Sequence, residues 1–403
     1  MLELLKNNSE WSLHCFNCGN EYGEEPISSR CNCGGTLELS LKSTFPRLED
    51  FKGTGVWRYL RALPFNDGSS PVSLNEGNTP LIPLGELANK TDLRLFVKNE
   101  GQNPTGSFKD RGMTVAVTRA RDIDVNTLVC ASTGNTSAST AAYAARAGMR
   151  AIVLVPDGKI SGGKLVQAIV HGASVIRVAG DFDATLELMM SQASTRKDLY
   201  VVNSINPFRI EGQKTGAYEI FEQLGGRIPD YVVLPVGNAG NISAYWKGFF
   251  ELREWGIAKT TPKMIGVQAL GASPLADAFI NNRATVKRLN NPETVASAIR
   301  IGNPVSWKKA LQAVKQSSGK LLVVSDQEIM DAQKMLASNE GVFVEPASAA
   351  PLAALNQLEK FMEKKSLVVF IGTGNGLKDQ SAVHFDAENL PLVSNIRELA
   401  MHL

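Results

Sequence analysis

The feature that most constrains the fold is a beat of short apolar runs between about residues 93 and 375: "RLFVK", "TLVCAS", "AIVLVP", "SVIRVAG", "LYVVNS", "YVVLPV", "MIGVQAL", "LLVVS" and "LVVFIG". Helix-forming segments separate them. Runs of this length, apolar throughout and alternating with helices, belong to parallel sheets covered on both faces. At 403 residues the chain exceeds what one core usually serves, so two α/β lobes and a small appendage are expected. Glycine-rich loops follow three of the runs: "TGNTS" after Cys130, "GNAGN" after Val236 and "GTGNG" after Ile371. Ligands of open parallel sheets bind beyond the carboxyl ends of the strands, so these loops are expected to converge on one site.

A formal net charge of +2 gives no reason to expect a nucleic-acid or membrane-surface partner. No apolar run approaches the roughly 18 residues of a membrane span. The opening "MLELLKNNSE" lacks the basic region and apolar core of a signal peptide, so a cytoplasmic protein is expected.

Four of the five cysteines, Cys15, Cys18, Cys31 and Cys33, crowd the context "CFNCGNEYGEEPISSRCNCGG". In a long chain of this kind they read as a zinc ribbon sooner than as disulfides. One residue rather than two separates the second pair, so a ribbon that has lost its metal stays open as an alternative. The ribbon is expected to lie outside the crevice, with activity largely indifferent to chelators. Cys130 reads as a small buried hydrophobe.

In "NPTGSFKDRG", Ser107 and Asp110 have the spacing of a capping pair, which puts Lys109 in the first turn of a helix. An ammonium is poorly placed there, because the helix dipole makes that end positive. Lys109 is therefore either a solvated surface group or an amine held as an imine or in neutral form. The loop Gly237-Asn238-Ala239-Gly240-Asn241 lies between an apolar run and an amphipathic helix. It suits a phosphate held by backbone amides and equally a tight turn without a ligand. Ser132, Thr133, Gly134, Asn135 and Thr136 repeat the arrangement before a helix of Ala, Ser and Thr that ends at Gly148. "GKISGGKL", residues 158–165, has the spacing of a nucleotide-binding loop, but Leu165 stands where a hydroxyl is needed, so it reads as an ordinary loop.

Taken in order, "NPTGSFKDRG", "ASTGNTSAS", "PVGNAGNISA", "AIRIGNP", "EPASAA" and "GTGNGLKD" resemble the pyridoxal-phosphate enzymes of the tryptophan-synthase-beta type, over roughly residues 70 to 385. The resemblance implies two doubly wound open-sheet α/β domains with pyridoxal 5'-phosphate in the cleft between them. The large domain would comprise 43–104 and 200–403, the small one 105–199, and the zinc-ribbon-like segment 1–42. It implies that Lys109 binds the cofactor as an imine and afterwards moves protons as a free amine, with Phe108 beside it. It makes Asn135 the partner of the ring's phenolic oxygen, residues 237–241 the cofactor-phosphate loop, and Thr373 the partner of the pyridine nitrogen.

For the substrate, the resemblance implies that the loop Ser132–Thr136 holds a carboxylate and that Asn203, Ser204 and Arg209 hold a phosphate. Asp110, Met113, the "GNAGN" loop and "AIRIGNP" at 298–304 point to the members that convert O-phospho-L-homoserine and water to L-threonine and phosphate. Threonine dehydratase and cysteate or cysteine synthase are the alternatives on the same scaffold. A homodimer is the expected assembly.

Overall fold

The computed structural model describes residues 11–23, 30–41, 46–66, 68–157, 162–180 and 182–379. The chain opens with a small antiparallel sheet of β1 (Trp11–Cys15), β2 (Glu21–Tyr22) and β3 (Leu37–Leu41), with β1 in the middle. β4 (Leu81–Pro83) and β5 (Arg94–Asn99) begin a second sheet. The chain then leaves that sheet to build a third: β6 (Thr127–Ala131), β7 (Arg150–Pro156), β8 (Ser174–Val178) and β9 (Leu199–Val201), all parallel in the order β8-β7-β6-β9. It returns with β10 (Tyr231–Pro235), β11 (Lys263–Ala269), β12 (Lys320–Val324) and β13 (Leu367–Gly372). These complete a six-stranded sheet, β12-β11-β10-β13-β5-β4, parallel except for the edge strand β4.

All nine apolar runs are strands. Every residue of β6, β10 and β13 is buried, because helices cover both faces and no polar alternation survives. The carboxyl ends of β6, β10 and β13 carry the three glycine-rich loops.

Two helices determine where those loops meet. The Lys109–Asp122 helix crosses the Pro207–Gln223 helix at backbone contact. A Cβ on Gly212 would lie 1.8 Å from the Arg111 carbonyl oxygen, and one on Gly112 2.6 Å from that of Arg209, so only glycine fits at either position. Lys109 and Arg209 each stand three residues before one of these glycines. Ions then lock the crossing. The fully buried Arg111 donates through Nε to Glu100 (2.6 Å) and through Nη1 and Nη2 to Glu219 (both 2.7 Å), while Lys98 Nζ reaches Glu219 at 2.7 Å. Burial would raise the Glu219 pKa, but Arg111 and Lys98 outweigh it and hold the carboxyl down at about 2.

Arg111→Ala should leave buried Glu100 without its cation and Glu219 with Lys98 alone, and destabilise the protein by about 3–5 kcal/mol, read as a lower thermal unfolding midpoint. Because the folded pKa of Glu219 is depressed, its contribution is fully present above the ordinary value of 4.5 and is lost as pH falls toward 2.

The capping expectation fails. The Lys109–Asp122 helix has Phe108 at its cap position, with no side-chain capping bond, and Ser107 Oγ is buried without a partner among the described residues. Asp110 instead accepts from the Thr105 amide (2.7 Å), the Thr105 hydroxyl (2.6 Å) and the Ser139 hydroxyl (2.6 Å), which tie the helix to its own entry loop and to the Asn135–Ala147 helix. The small sheet is not set apart either: Trp11, Leu13, Leu37 and Leu39 share one apolar cluster with Met113, Val117 and Phe208. Residues 158–161 of the nucleotide-loop-like stretch, the 42/43 boundary and residues 380–403 lie outside the described residues.

Candidate active site

The carboxyl end of β13 ties its glycine-rich loop to the stretch that leads into Lys109. The Phe108 amide donates to the Thr373 carbonyl (3.0 Å) and the Asn375 amide to the Gly106 carbonyl (2.9 Å), with Ser107 bridged to Gly374. Lys109 therefore starts its helix directly beside Thr373. The lysine is half-buried, its Nζ lies 4.2 Å from the centroid of the Phe108 ring, and it forms no ion pair among the described residues. Burial, reinforced by the nearby Arg209 guanidinium and partly offset by Glu345, draws its pKa down to about 7. Partial burial and the lowered pKa count against the solvated-surface alternative. A substantial fraction of this amine is neutral at physiological pH.

Arg209 is 1% exposed. Only Nη1 is engaged, donating to the Val202 carbonyl at 2.9 Å, while Nε and Nη2 have no partner among the described residues. Burial lowers its pKa to about 10, so it remains a cation at neutral pH. A buried guanidinium with two unused donors is costly unless an anion is to meet it. Earlier in the same segment, Asn203 spends its amide on β6: Oδ1 accepts from the Ala131 amide (2.9 Å) and Nδ2 donates to the Ala131 carbonyl (3.0 Å). It thereby fixes the strand end from which the loop 132–136 departs. Ser204 lies on the other side, its Cβ 3.9 Å from where a Cβ on Gly240 would be.

The loop 237–241 enters the Gly240–Glu254 helix through Ala239, which adopts a left-handed φ of 66°. A Cβ on Gly237 would come within 3.1 Å of the Ala298 carbonyl oxygen, so the "AIRIGNP" segment forms the wall behind the loop. The Asn241 side chain is buried, with both Oδ1 and Nδ2 unpartnered among the described residues. The first amides of a helix lack intrahelical acceptors, and with this amide they make a donor-rich concavity for an anion.

Ser132 Oγ accepts from the Gly134 amide at 3.2 Å, and Ser137 donates to the Gly134 carbonyl at 2.7 Å, so hydroxyls shape the turn from Ser132 through Thr133 to Thr136. Asn135 Nδ2 donates to both carboxylate oxygens of Glu345, at 2.9 and 3.1 Å. A cavity of about 380 Å³ opens beside Gly134 and Asn135, lined also by Thr105, Gly106, Asn375 and Lys378.

Two groups here received no role from the sequence. Glu345 is 2% exposed and acts electrostatically on Lys109; a Cβ on Gly374 would fall 2.5 Å from its Oε1, so that glycine makes room for it. Ser348 is hydrogen-bonded to the Thr373 hydroxyl at 2.8 Å and accepts from the Gly374 amide at the same distance. Both lie within "EPASAA", where the signal was a lone acid and a lone hydroxyl in a stretch otherwise small and apolar.

Away from the cleft, the Sγ atoms of Cys15, Cys18, Cys31 and Cys33 all lie within 4.8 Å of one another. Cys15 and Cys33 are 3.5 Å apart, as are Cys18 and Cys31. That is far beyond an S–S bond of about 2 Å and close to the edge of about 3.8 Å that a tetrahedron of Zn–S bonds requires. The Asn17 and Cys33 amides point at the Cys15 and Cys31 sulfurs, as thiolate ligands need.

Comparison with known proteins gives the setting for this geometry. The family model described as "Pyridoxal-phosphate dependent enzyme" matches residues 72–374. A threonine synthase of Methanocaldococcus jannaschii is 51% identical over 377 residues, covering 91% of this chain and 93% of that protein. One of Methanosarcina acetivorans is 47% identical, covering 93% of each, and one of Mycobacterium tuberculosis is 49% identical, covering 84% and 91%. Among solved structures, a threonine deaminase whose source is abbreviated "T.th." superposes with a TM-score of 0.62 at 24% identity, over 74% of this chain and 92% of that one. The processed form of threonine deaminase isoform 2 from Solanum lycopersicum gives 0.66 at 21%, over 86% and 91%. At that identity the likeness is one of fold.

Proposed function

The chain belongs to the pyridoxal-phosphate dependent enzymes, and we propose that within that family it acts as a threonine synthase, a lyase converting O-phospho-L-homoserine and water to L-threonine and phosphate. The observation that carries the choice of substrate is the buried Arg209, with two unused donors, beside an amine whose pKa is drawn to about 7. A phosphate that leaves from the substrate needs such a partner; a hydroxy amino acid does not.

The residues fit the cofactor. Lys109 offers an amine for an aldehyde, the orphaned Asn241 amide and the helix start at 237–241 offer donors for a phosphate, and Phe108, Asn135 and Thr373 are the residues that would border the ring. Pyridoxal phosphate, when bound, supplies an electron sink for the negative charge left by removal of the substrate's α proton. Lys109 is the group that takes that proton and returns protons later, as an amine near pKa 7 does efficiently. Arg209, with Ser204, stabilises the phosphate as its charge grows on departure. Ser132, Thr133, Gly134, Asn135 and Thr136 orient the carboxylate. Asn203 supports both groups by holding β6. Thr373 presents a neutral hydroxyl to the ring nitrogen, and Ser348 holds that hydroxyl in place.

The same proposal assigns residues 1–42 to the ribbon, 43–104 and 200–403 to the large domain and 105–199 to the small one. The four-stranded sheet, drawn from residues 127–201, supports the small domain, with β9 running two residues past its proposed end. It includes a cytoplasmic homodimer; no described helix is long and apolar enough to cross a membrane.

The decisive test is a substrate panel read as phosphate release and amino-acid product. Phosphohomoserine should give threonine and phosphate. Efficient deamination of threonine, or product from phosphoserine and sulfite, would instead select the dehydratase or the cysteate synthase reading. For the ribbon, elemental analysis of protein purified under reducing conditions should find about one zinc per chain, bound by Cys15, Cys18, Cys31 and Cys33. Metal-free protein of full stability would overturn that.

A further inference from the structure

We infer that the cysteine ribbon sets the affinity of the substrate-phosphate site, with Trp11 as a positioning residue for Arg209. The inference rests on the reading of Arg209 given above. Trp11, the first residue of β1, meets Phe208 edge-on with ring centroids 5.5 Å apart and planes at 86°. Phe208 immediately precedes Arg209 in the first turn of the Pro207–Gln223 helix. The Arg119 guanidinium lies over both rings, 5.3 Å from Trp11 and 5.5 Å from Phe208, and Arg119 belongs to the helix that begins with Lys109. The ring cluster thus touches both helices whose first turns face the cleft.

The edge strand β3 is fastened to the same helix. Lys247 Nζ donates to the Leu39 carbonyl at 2.5 Å and also pairs with Glu211, two residues beyond Arg209. Lys309 Nζ donates to the Leu37 carbonyl at 2.9 Å. Cys15 ends β1, four residues from Trp11, and Leu37 begins β3, so the two strands that grip this helix are continuous with the cysteine cluster.

Nη1 of Arg209 has one anchor, the Val202 carbonyl, and its other two nitrogens have none among the described residues. Nothing bonded to the guanidinium itself therefore prevents it from turning with its helix. The Asn206 side chain caps that first turn by accepting from the Phe208 amide at 3.0 Å, and on its outer side the turn is packed through Phe208 against Trp11. Loosening the ribbon acts first on Arg209, the immediate neighbour of Phe208, whereas the tie to the Lys109 helix runs through Arg119, ten residues from Lys109.

The test uses the holoenzyme with Trp11→Ala, the conservative Trp11→Phe and Arg119→Met, with Arg209→Ala as reference. Inorganic phosphate is the binding probe, followed by phosphorus NMR titration, alongside KM, kcat and cofactor absorbance. For Trp11→Ala the phosphate dissociation constant and the KM for phosphohomoserine should rise together on the order of 10-fold, as expected when a positioned charge is displaced. The kcat should fall as well, because Arg209 also meets the charge that grows on departure, and the absorbance should not change at all. Trp11→Phe should recover most of the loss, and Arg119→Met should reproduce it in smaller measure. Removing the ribbon metal from wild-type protein should weaken phosphate binding in the same way, a departure from the indifference to chelators expected of an appendage outside the crevice.

Unchanged phosphate binding in folded Trp11→Ala and Arg119→Met, with Arg209→Ala impaired, would overturn the coupling alone. If Trp11→Ala does not fold, Arg119→Met and metal removal decide. A variant that loses kcat and cofactor together, with KM intact, would show general destabilisation and also overturn it. Phosphate binding insensitive to Arg209→Ala would remove the reading beneath and this inference with it.

Discussion

Lys109→Ala is expected to lower turnover at least about 10⁴-fold, because in the function proposed above one substitution removes both the cofactor's covalent anchor and the group that moves the α proton. The proposed phosphate cradle is untouched, since the 237–241 loop stands on β10 and the Gly240–Glu254 helix and not on Lys109. The variant should therefore still take up pyridoxal phosphate, but release it on gel filtration and lack the visible band of the covalent form. Full turnover by the variant would sink the assignment. The wild-type lysine carries a pH signature as well. Its pKa lies near 7 and not at the ordinary 10.5, so covalent uptake of cofactor by cofactor-free protein should climb as pH rises through about 7 and level off above it. Below that value the ammonium predominates and uptake should fall.

Arg209→Ala is expected to cost about 2–4 kcal/mol in transition-state binding of phosphohomoserine, roughly 30-fold to 1,000-fold in kcat/KM. The charge-assisted bonds proposed between it and the leaving phosphate have no substitute in the same segment: Ser204 is neutral and the Asn203 amide is committed to Ala131. Side reactions on threonine or serine, which lack the phosphate, should change far less, and cofactor absorbance should persist. Because Arg209 helps depress the Lys109 pKa, removing it should also move the uptake midpoint above 7. Loss of cofactor from the variant would place Arg209 in the cofactor site. Unchanged use of phosphohomoserine would hand the reading to a relative whose substrate carries no phosphate.

Much of the scaffold was legible because its signals are local. An apolar run buried on both faces needs no partner to be recognised as a strand, and all nine runs are strands. Gly148, expected at the end of the Ala/Ser/Thr helix, adopts a φ of 68° there. The cysteine cluster could be read from spacing, since ligands close in sequence can meet across a short turn. Where a side chain had a choice of partners, local reading failed. Ser107 and Asp110 have capping spacing, yet Asp110 found Thr105 and Ser139 instead, and Ser107 was left without a partner among the described residues.

The sequence by itself determined the strands, the loops at their carboxyl ends and the residue types offered there, because backbone propensity and burial pattern act over a few neighbours. Tertiary structure alone decided the electrostatics. A lysine with pKa about 7 and an arginine with idle donors exist because Gly112 and Gly212 let two helices touch, bringing together groups 100 positions apart in the chain. The same is true of Glu345 beside Asn135, of Ser348 against Thr373 and of Trp11 against Phe208. Desolvation and Coulomb interaction depend on distance in space, which no spacing in the sequence encodes.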